Sequence, residues 1–321
     1  MTDAVAPYAC PRCHDELSPV GDSLRCAAGH GYPIVSGIPR FVPSQEYSGS
    51  FGYQWKAFAK LQLDSYNGTR FSEERFRAIT GWERRDLEGK RVLDAGCGAG
   101  RFAEVATRAF GARVTALDLS ESVEACRENL MPDPPAVCQA SIYDLPFREA
   151  SFDFVYSIGV IQHTPDPARA VRSLCRMVKP GGMIALWIYE VDWKTCLGTT
   201  GFKYLLRPLV SRLPRARQIA FVKVLTAVFT PVAAVAKPLG LPGRIVMRLL
   251  PVASAYLQPV PLTPADFRSW VFLDTFDMYT PAYDQPQRFP RIARMLAEEG
   301  FEDIRRMPHG GVAIRATRSR S

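Results

Sequence analysis

Two sets of residues in this 321-residue chain have the types and spacing that chemistry needs. The first is Cys10-Pro11-Arg12-Cys13 followed by Cys26-Ala27-Ala28-Gly29-His30, a C-x2-C-x12-C-x3-H pattern. Three thiolates and an imidazole suit a tetrahedral Zn2+ ion, each pair in a tight knuckle and the two knuckles converging across a hairpin. Four protein ligands leave no position for water, so such a zinc would be structural. His14, beside Cys13, is the rival fourth ligand; His30 is preferred because it pairs with Cys26 as a knuckle. The second set is Asp94-Ala95-Gly96-Cys97-Gly98-Ala99-Gly100. Glycine serves where backbone must approach a ligand closely or take a positive φ, and a helix N-terminus offers unpaired N–H groups. A dinucleotide fingerprint needs glycine at the sixth position of Gly-x-Gly-x-x-Gly, and that position is Arg101. Asp118 follows Gly98 by twenty residues, placed to accept both hydroxyls of a ribose.

These residues need elements to hold them. Residues 8–43, rich in Cys, Gly and Pro, are too short to bury a core, so bound metal would supply their folding free energy. Residues 1–43 therefore read as a zinc ribbon. Residues 44–89 form an aromatic-rich helical connector with Phe51, Tyr53, Trp55, Phe58, Tyr66, Phe71, Phe76 and Trp82, expected to pack over the next domain and to roof its pocket. Residues 90–190 alternate strand and helix. Strands are expected at 91–93, 114–117, 137–140, 152–157 and 183–189, with helices at 100–110, 120–129 and 167–178. Pro180-Gly181-Gly182 is the expected stop of the last helix. Residues 191–288 break this rhythm as an apolar helical insertion divided by prolines, with separate stretches at 219–230 and 231–235. In residues 289–321 the pattern resumes as a helix at 289–299 and strands at 301–306 and 311–315. The expected fold is α/β, a doubly wound Rossmann-like sheet of seven strands with an N-terminal zinc ribbon and a helical insertion.

Five pieces in order resemble the class I S-adenosylmethionine-dependent methyltransferases of the type 11-like group. Asp94 to Gly100 has that family's Asp-x-Gly-x-Gly-x-Gly form, and Val114 to Asp118 its second strand. Gln139 to Phe147 resembles the stretch that reads the adenine edge, Ser151 to Thr164 the fourth strand with its turn, and Lys179 to Gly182 the approach to the fifth. The resemblance covers residues 90–190 and, more loosely, 289–315. It implies S-adenosyl-L-methionine bound by Asp94, Gly96, Cys97, Gly98, Asp118, Leu119, Ser141, Ile142, Ser157 and Gly159. Leu119 would lie on the adenine face and the backbone of Ser157–Gly159 would hold the methionine end. Ser141 departs from the family, which commonly has Asp there; a hydroxyl can accept the same bond without charge. The N-terminal segment resembles the zinc ribbon of bacterial rRNA guanine-N1 methyltransferases, and its tail from Gly31 to Phe41 the short zinc-ribbon proteins that partner other methyltransferases. Ribbons of this kind also occur in methyltransferases of surface-polysaccharide and natural-product pathways, so the ribbon does not select a substrate.

Methyl transfer from a sulfonium needs alignment above all, and a hydroxyl or amine acceptor can also need a base. His163, after the fourth strand and one of four histidines, stands at the edge where open α/β sheets bind ligands. It is a candidate catalytic base or orienting group, or alternatively a helix-start residue bonded to Asp166 or backbone. Asp274, Asp277 and Tyr283 are candidate binders of acceptor hydroxyls or amines; alternatively Asp277 and Asp284 cap turns among core aromatics.

A net charge of +8 admits polyanionic partners, either RNA or anionic lipid. The insertion carries Lys203, Arg207, Arg212, Arg215, Arg217, Lys223, Lys237, Arg244 and Arg248 among apolar residues. It reads first as a helical lid on the sheet, then as a membrane-surface or RNA-phosphate contact. No run reaches membrane-span length without Lys or Pro. Met1 to Ala9 lacks the pattern of a signal peptide, and the eight cysteines are not spread as a disulfide framework, so the expected location is cytoplasmic. A small-molecule acceptor is the leading expectation, an rRNA or tRNA base the second, and a non-catalytic partner protein on the same fold the third. The intact Asp94–Gly100 turn and Asp118 argue against the third.

Overall fold

The computed structural model describes residues 8–42, 60–190, 199–253 and 263–320. Phe51, Tyr53, Trp55 and Phe58 of the connector lie outside the described residues. The chain divides into two compact units: one of Met1–Asp64, Arg70–Glu190 and Gln285–Ser321, the other of Ser65–Thr69 and Val191–Asp284.

The first unit holds two sheets. Four short antiparallel strands, β1 (Ser18–Val20), β2 (Ser23–Arg25), β3 (Gly31–Val35) and β4 (Ile38–Pro39), follow one another as a meander. The main sheet comprises β5 (Arg91–Ala95), β6 (Arg113–Asp118), β7 (Ala136–Gln139), β8 (Phe152–Ile158), β9 (Val178–Ile188), β10 (Phe301–Arg306) and β11 (Val312–Arg318). Its order is β10-β11-β9-β8-β5-β6-β7, with β5 to β9 parallel and β11 antiparallel to both neighbours. This is the expected seven-stranded α/β sheet. The order reverses between β5 and β8, and such a switch point opens a crevice at the carboxyl ends of the strands.

Alternation along the parallel strands builds a core on each face. Leu93, Val155, Ile184 and Ile314 pack with Leu174 and Leu296 on one side. Val92, Phe154 and Ala185 pack with Phe76, Trp82 and Phe110 on the other. Phe76, in the helix Phe71–Thr80, and Trp82 after it are fully buried against this second face. Phe76 and Trp82 of the connector are therefore core of the sheet, filling the face that the strands leave apolar, whereas Tyr66 is exposed.

Pro180–Gly182 differs from expectation. The helix Pro167–Met177 starts on Asp166, whose carboxylate accepts the N–H groups of Ala168 and Arg169 at 3.0 Å, and it ends directly into β9 at Val178. Pro180–Gly182 forms a bulge opposite β8, where the register jumps from Phe152–Val178 to Phe154–Met183. Lys179 pairs with Asp153 at 2.7 Å across the bulge, and a Cβ on Gly182 would stand 2.6 Å from the Asp153 carbonyl oxygen. Glycine is needed there for backbone approach, not for helix termination.

The N-terminal sheet packs on the edge of the main sheet. Phe41 N–H donates to the Gln139 carbonyl at 2.8 Å, and Arg40 pairs with Glu124 at 2.9 Å. Tyr8 stacks on Phe147 with ring centres 5.7 Å apart.

The second unit is helical: Thr199–Val210, Arg215–Ala236, Gly240–Leu249 and Pro264–Tyr279. The expected break at Pro231 is absent, and one helix runs through it, because proline removes a single backbone donor and its neighbours carry the turn. Asp284, read as a possible turn cap, is instead fully buried against Lys203, with Nζ 2.5 Å from Oδ2 and the Arg207 guanidinium at 3.9 Å. A buried carboxylate needs such a partner, since its desolvation costs several kcal/mol.

Candidate functional site

The turn after β5 is held by the end of β6. Gly96 and Cys97 donate their N–H groups to the Leu117 carbonyl at 2.7 and 2.9 Å. Gly98 N–H donates to Oδ2 of Asp118 at 2.9 Å, while Oδ1 accepts both the backbone N–H and the hydroxyl of Ser120 at 2.8 Å. Gly96, Gly98 and Gly100 all have positive φ, between 52° and 93°. A Cβ on Gly96 would sit 2.3 Å from Val160 and one on Gly100 3.0 Å from the Cys126 sulfur, so neither glycine has room for a side chain. Asp118 thus braces the turn as well as standing half-exposed beside it, a second task that the sequence reading missed.

Asp94 lies beneath the turn and is 2% exposed. Its Oδ2 and the hydroxyl of Tyr156 are both buried beside each other, and neither makes a well-formed hydrogen bond to any further described residue. Burial pushes the Asp94 carboxyl up to about 8; the Tyr156 hydroxyl pulls the other way, and the charge of Asp118 adds to the rise. An unsatisfied buried acceptor under a positive-φ glycine turn is what a bound cation or donor group would complete.

The remaining residues expected around the cofactor are distributed as follows. Ser157 is buried, and its hydroxyl donates to the Ala95 carbonyl at 2.8 Å, stitching β8 to β5. Gly159 ends β8 with φ of 78°; its N–H donates to the Trp187 carbonyl at 2.9 Å, and the Trp187 ring lies where a side chain would begin. Leu119 is half-buried after Asp118, and its carbonyl accepts from Gln139. Ser141 accepts the Tyr143 N–H at 3.2 Å, beside buried Ile142. Asp144 forms an exposed pair with Arg169 and is a loop residue. All of these share the carboxyl edge of the parallel strands.

His163 closes the short turn Ile161–His163 and is 5% exposed, its ring 5.4 Å from that of Tyr189. Asp166 is engaged in capping its helix. The same edge carries groups that the sequence reading did not single out. Trp187 stands edge-on to Tyr189 and to His309, and the Arg75 guanidinium lies 4.6 Å above its ring. His309 Nδ1 is 2.9 Å from the Gly310 carbonyl, which can only accept, so Nδ1 bears the proton and Nε2 is the acceptor of the neutral ring. Burial lowers the His309 pKa, and the Arg75 and Arg101 charges lower it further. Its position in the Pro308–Gly311 turn between the last two strands was the available signal.

Asp274, Asp277 and Tyr283 belong to the second unit. The two acids lie three apart on the helix Pro264–Tyr279, where Asp274 accepts the Trp270 indole N–H at 3.0 Å, and Tyr283 is exposed.

In the N-terminal sheet, Cys10, Cys13, Cys26 and His30 converge with ligand atoms all within 4.8 Å of one another. His30 Nδ1 is 3.4 Å from the sulfurs of Cys10 and Cys26, and the sulfurs of Cys13 and Cys26 are 3.6 Å apart. Bonds of ~2.3 Å to a tetrahedral ion would place thiolates ~3.8 Å apart, so the donor set fits zinc. His14 is exposed and outside the cluster.

Parts of the chain are similar to known proteins. Residues 93–186 match the family model of the methyltransferase domain. The ubiquinone biosynthesis O-methyltransferase of Xanthomonas oryzae pv. oryzae is 37% identical over 131 residues, 39% of this chain and 54% of that protein. The protein of the same name from Neisseria meningitidis serogroup C is 42% identical over 105 residues, 31% of this chain and 44% of that one. The chain spans about half the length of the curated relatives it matches. Human N-acetylserotonin methyltransferase, solved with S-adenosylmethionine, is 16% identical, with 87% of this chain and 60% of that one covered at a TM-score of 0.47.

Asp94 generates a pH prediction. Its folded-state pKa lies above the unfolded value of ~4, so the bound proton stabilises the fold fully below pH ~4, and that stability is lost as pH rises toward 8. Asp94→Asn mimics the protonated form. Its Tm is expected to match wild type near pH 4, to exceed it increasingly up to pH ~8, and to hold a constant lead above that. A pH-independent difference in thermal melts would contradict the burial of Asp94 as described. The segment of this chain from residue 93 to 186 is thus similar to the methyltransferase domain family.

Proposed function

We propose that this chain is an S-adenosylmethionine-dependent methyltransferase acting on a small-molecule acceptor at an oxygen, nitrogen or carbon nucleophile. One observation carries the reading: a glycine turn at the switch point of the sheet, braced by Asp118 and floored by buried Asp94. S-adenosylmethionine, when bound, supplies an electrophilic methyl on a sulfonium that needs no further activation.

The chain's own residues have the following roles. The backbone of Gly96, Cys97 and Gly98 admits the donor closely, because no side chain intervenes on the glycines. Asp118 keeps one acceptor site on Oδ2 for a ribose hydroxyl, its others being taken by Gly98 and Ser120. Leu119 and Ile142 flank the adenine, and Ser141 accepts from its edge. Asp94 offers its unsatisfied oxygen toward the cationic amino-acid end, with Ser157 and Gly159 shaping the wall there. His163 is the base or orienting group for the acceptor, and His309, with Nε2 as its acceptor nitrogen, shares its edge. Asp274, Asp277 and Tyr283 are proposed to bind acceptor hydroxyls or amines. The relatives' O-methyltransferase names favour a hydroxyl acceptor. Cys10, Cys13, Cys26 and His30 are proposed to hold a structural zinc that folds the N-terminal sheet.

Calorimetry with S-adenosylhomocysteine tests the donor site. Wild type is expected to bind it, and Asp118→Ala to bind at least about tenfold more weakly, since both the ribose acceptor and the brace on Gly98 are lost. Absence of heat with wild type would sink the reading. Metal analysis tests the ribbon: one zinc per chain is expected in wild type, with loss of that zinc in Cys26→Ser. A metal-free wild-type chain with an intact N-terminal sheet would refute it.

A further inference from the structure

The solvent side of the long helix Arg215–Ala236 is mostly apolar, unlike a helix on a water-facing surface. Val224, Val228, Val232 and Val235 recur at helical spacing and are 43–70% exposed. Gln218 and Thr226 of the same helix are on the buried side, while its charged residues Arg217 and Lys223 are exposed among the valines and alanines. The helix is long and apolar enough to cross a membrane by length and composition, yet only 17% of its apolar stretch is buried. The next helix, Gly240–Leu249, likewise exposes Leu241, Ile245 and Leu249, and between these stand exposed Arg244 and Arg248. From residue 193 to 265 the sequence has ten Lys and Arg and no Asp or Glu.

We propose that these two helices seat the chain on an anionic lipid bilayer, with the long helix lying in the interface. The apolar row suits the acyl boundary and the basic residues suit headgroup phosphates. Charge decides among the occupants. A second copy of this chain would bring a segment equally devoid of acids against this one, and a polyanion such as RNA would leave the valine row in water. The helix lies on the bilayer instead of crossing it because its other side is taken: Phe221 packs edge-on against Tyr279 of the helix Pro264–Tyr279, with ring centres 5.7 Å apart. This contact goes beyond the methyl-transfer reading and does not depend on it.

Vesicle co-sedimentation of the full chain tests the proposal. Vesicles of phosphatidylcholine with about a quarter phosphatidylglycerol are expected to carry down most of the chain, and phosphatidylcholine alone little of it. Val224→Ser/Val228→Ser/Val235→Ser, checked for folding by circular dichroism, is expected to weaken partition at least about tenfold. Lys223→Glu/Arg244→Glu is a second variant, read by lost salt-sensitive binding, should the first not fold. A chain that stays in the supernatant with anionic vesicles overturns the proposal. So does a folded valine variant that binds like wild type. A dimer that dissociates on the valine substitutions, with no vesicle binding, would make this face an interface between copies. None of these readouts involves methyl transfer, so their failure leaves the donor-site reading untouched, and the reverse also holds.

Discussion

The hydrogen bond from the Gly98 amide to Asp118 ties the two halves of the candidate site together. A glycine turn with three positive φ values is entropically costly to order, and little within the turn can hold it. The end of β6 does so from outside, through the Leu117 carbonyl and the Asp118 carboxylate. Ser120 occupies the other carboxylate oxygen and fixes its rotamer. A turn fixed before the ligand arrives has less freedom to lose on binding.

The rest of the first unit places that bond where a ligand can use it. Apolar contacts on both faces of the sheet fix β5 beside β6 and β8. Their switch point opens the crevice, and Ser157 locks β8 to β5 at its floor. The bulge at Pro180–Gly182 lets β9 run from the sheet bottom to Trp187, which lines the same edge. Burial of Asp94 under the turn holds an ionisable group in its protonated form near neutrality, so the floor of the crevice can respond to a charged ligand.

Much of this was legible in the sequence, for identifiable reasons. Parallel strands buried on both faces read as continuous apolar runs, and the turn after β5 has glycines that little else would require. The Cys-Cys-Cys-His cluster was legible because its ligands are close in sequence. Pro180–Gly182 was misread because a helix stop and a strand bulge demand the same local residues. The brace from Asp118 to Gly98 needed the β5–β6 register, and the Trp187–His309 edge needed the β9–β11 pairing. The Lys203–Asp284 pair joins distant positions that no periodicity connects. The mostly apolar outer face of the long helix was hidden for a different reason: apolar residues are spread round the whole helix, so only the structure shows which of them are left uncovered.

Amide chemical shifts of selectively labelled glycines, followed during titration with S-adenosylhomocysteine, test the central claim most directly. If the braced turn is the donor site, Gly96, Gly98 and Gly100 shift together and saturate, while Gly21 and Gly29 of the N-terminal sheet do not move. Saturable binding that leaves those three resonances in place, or moves the N-terminal ones instead, would contradict the account.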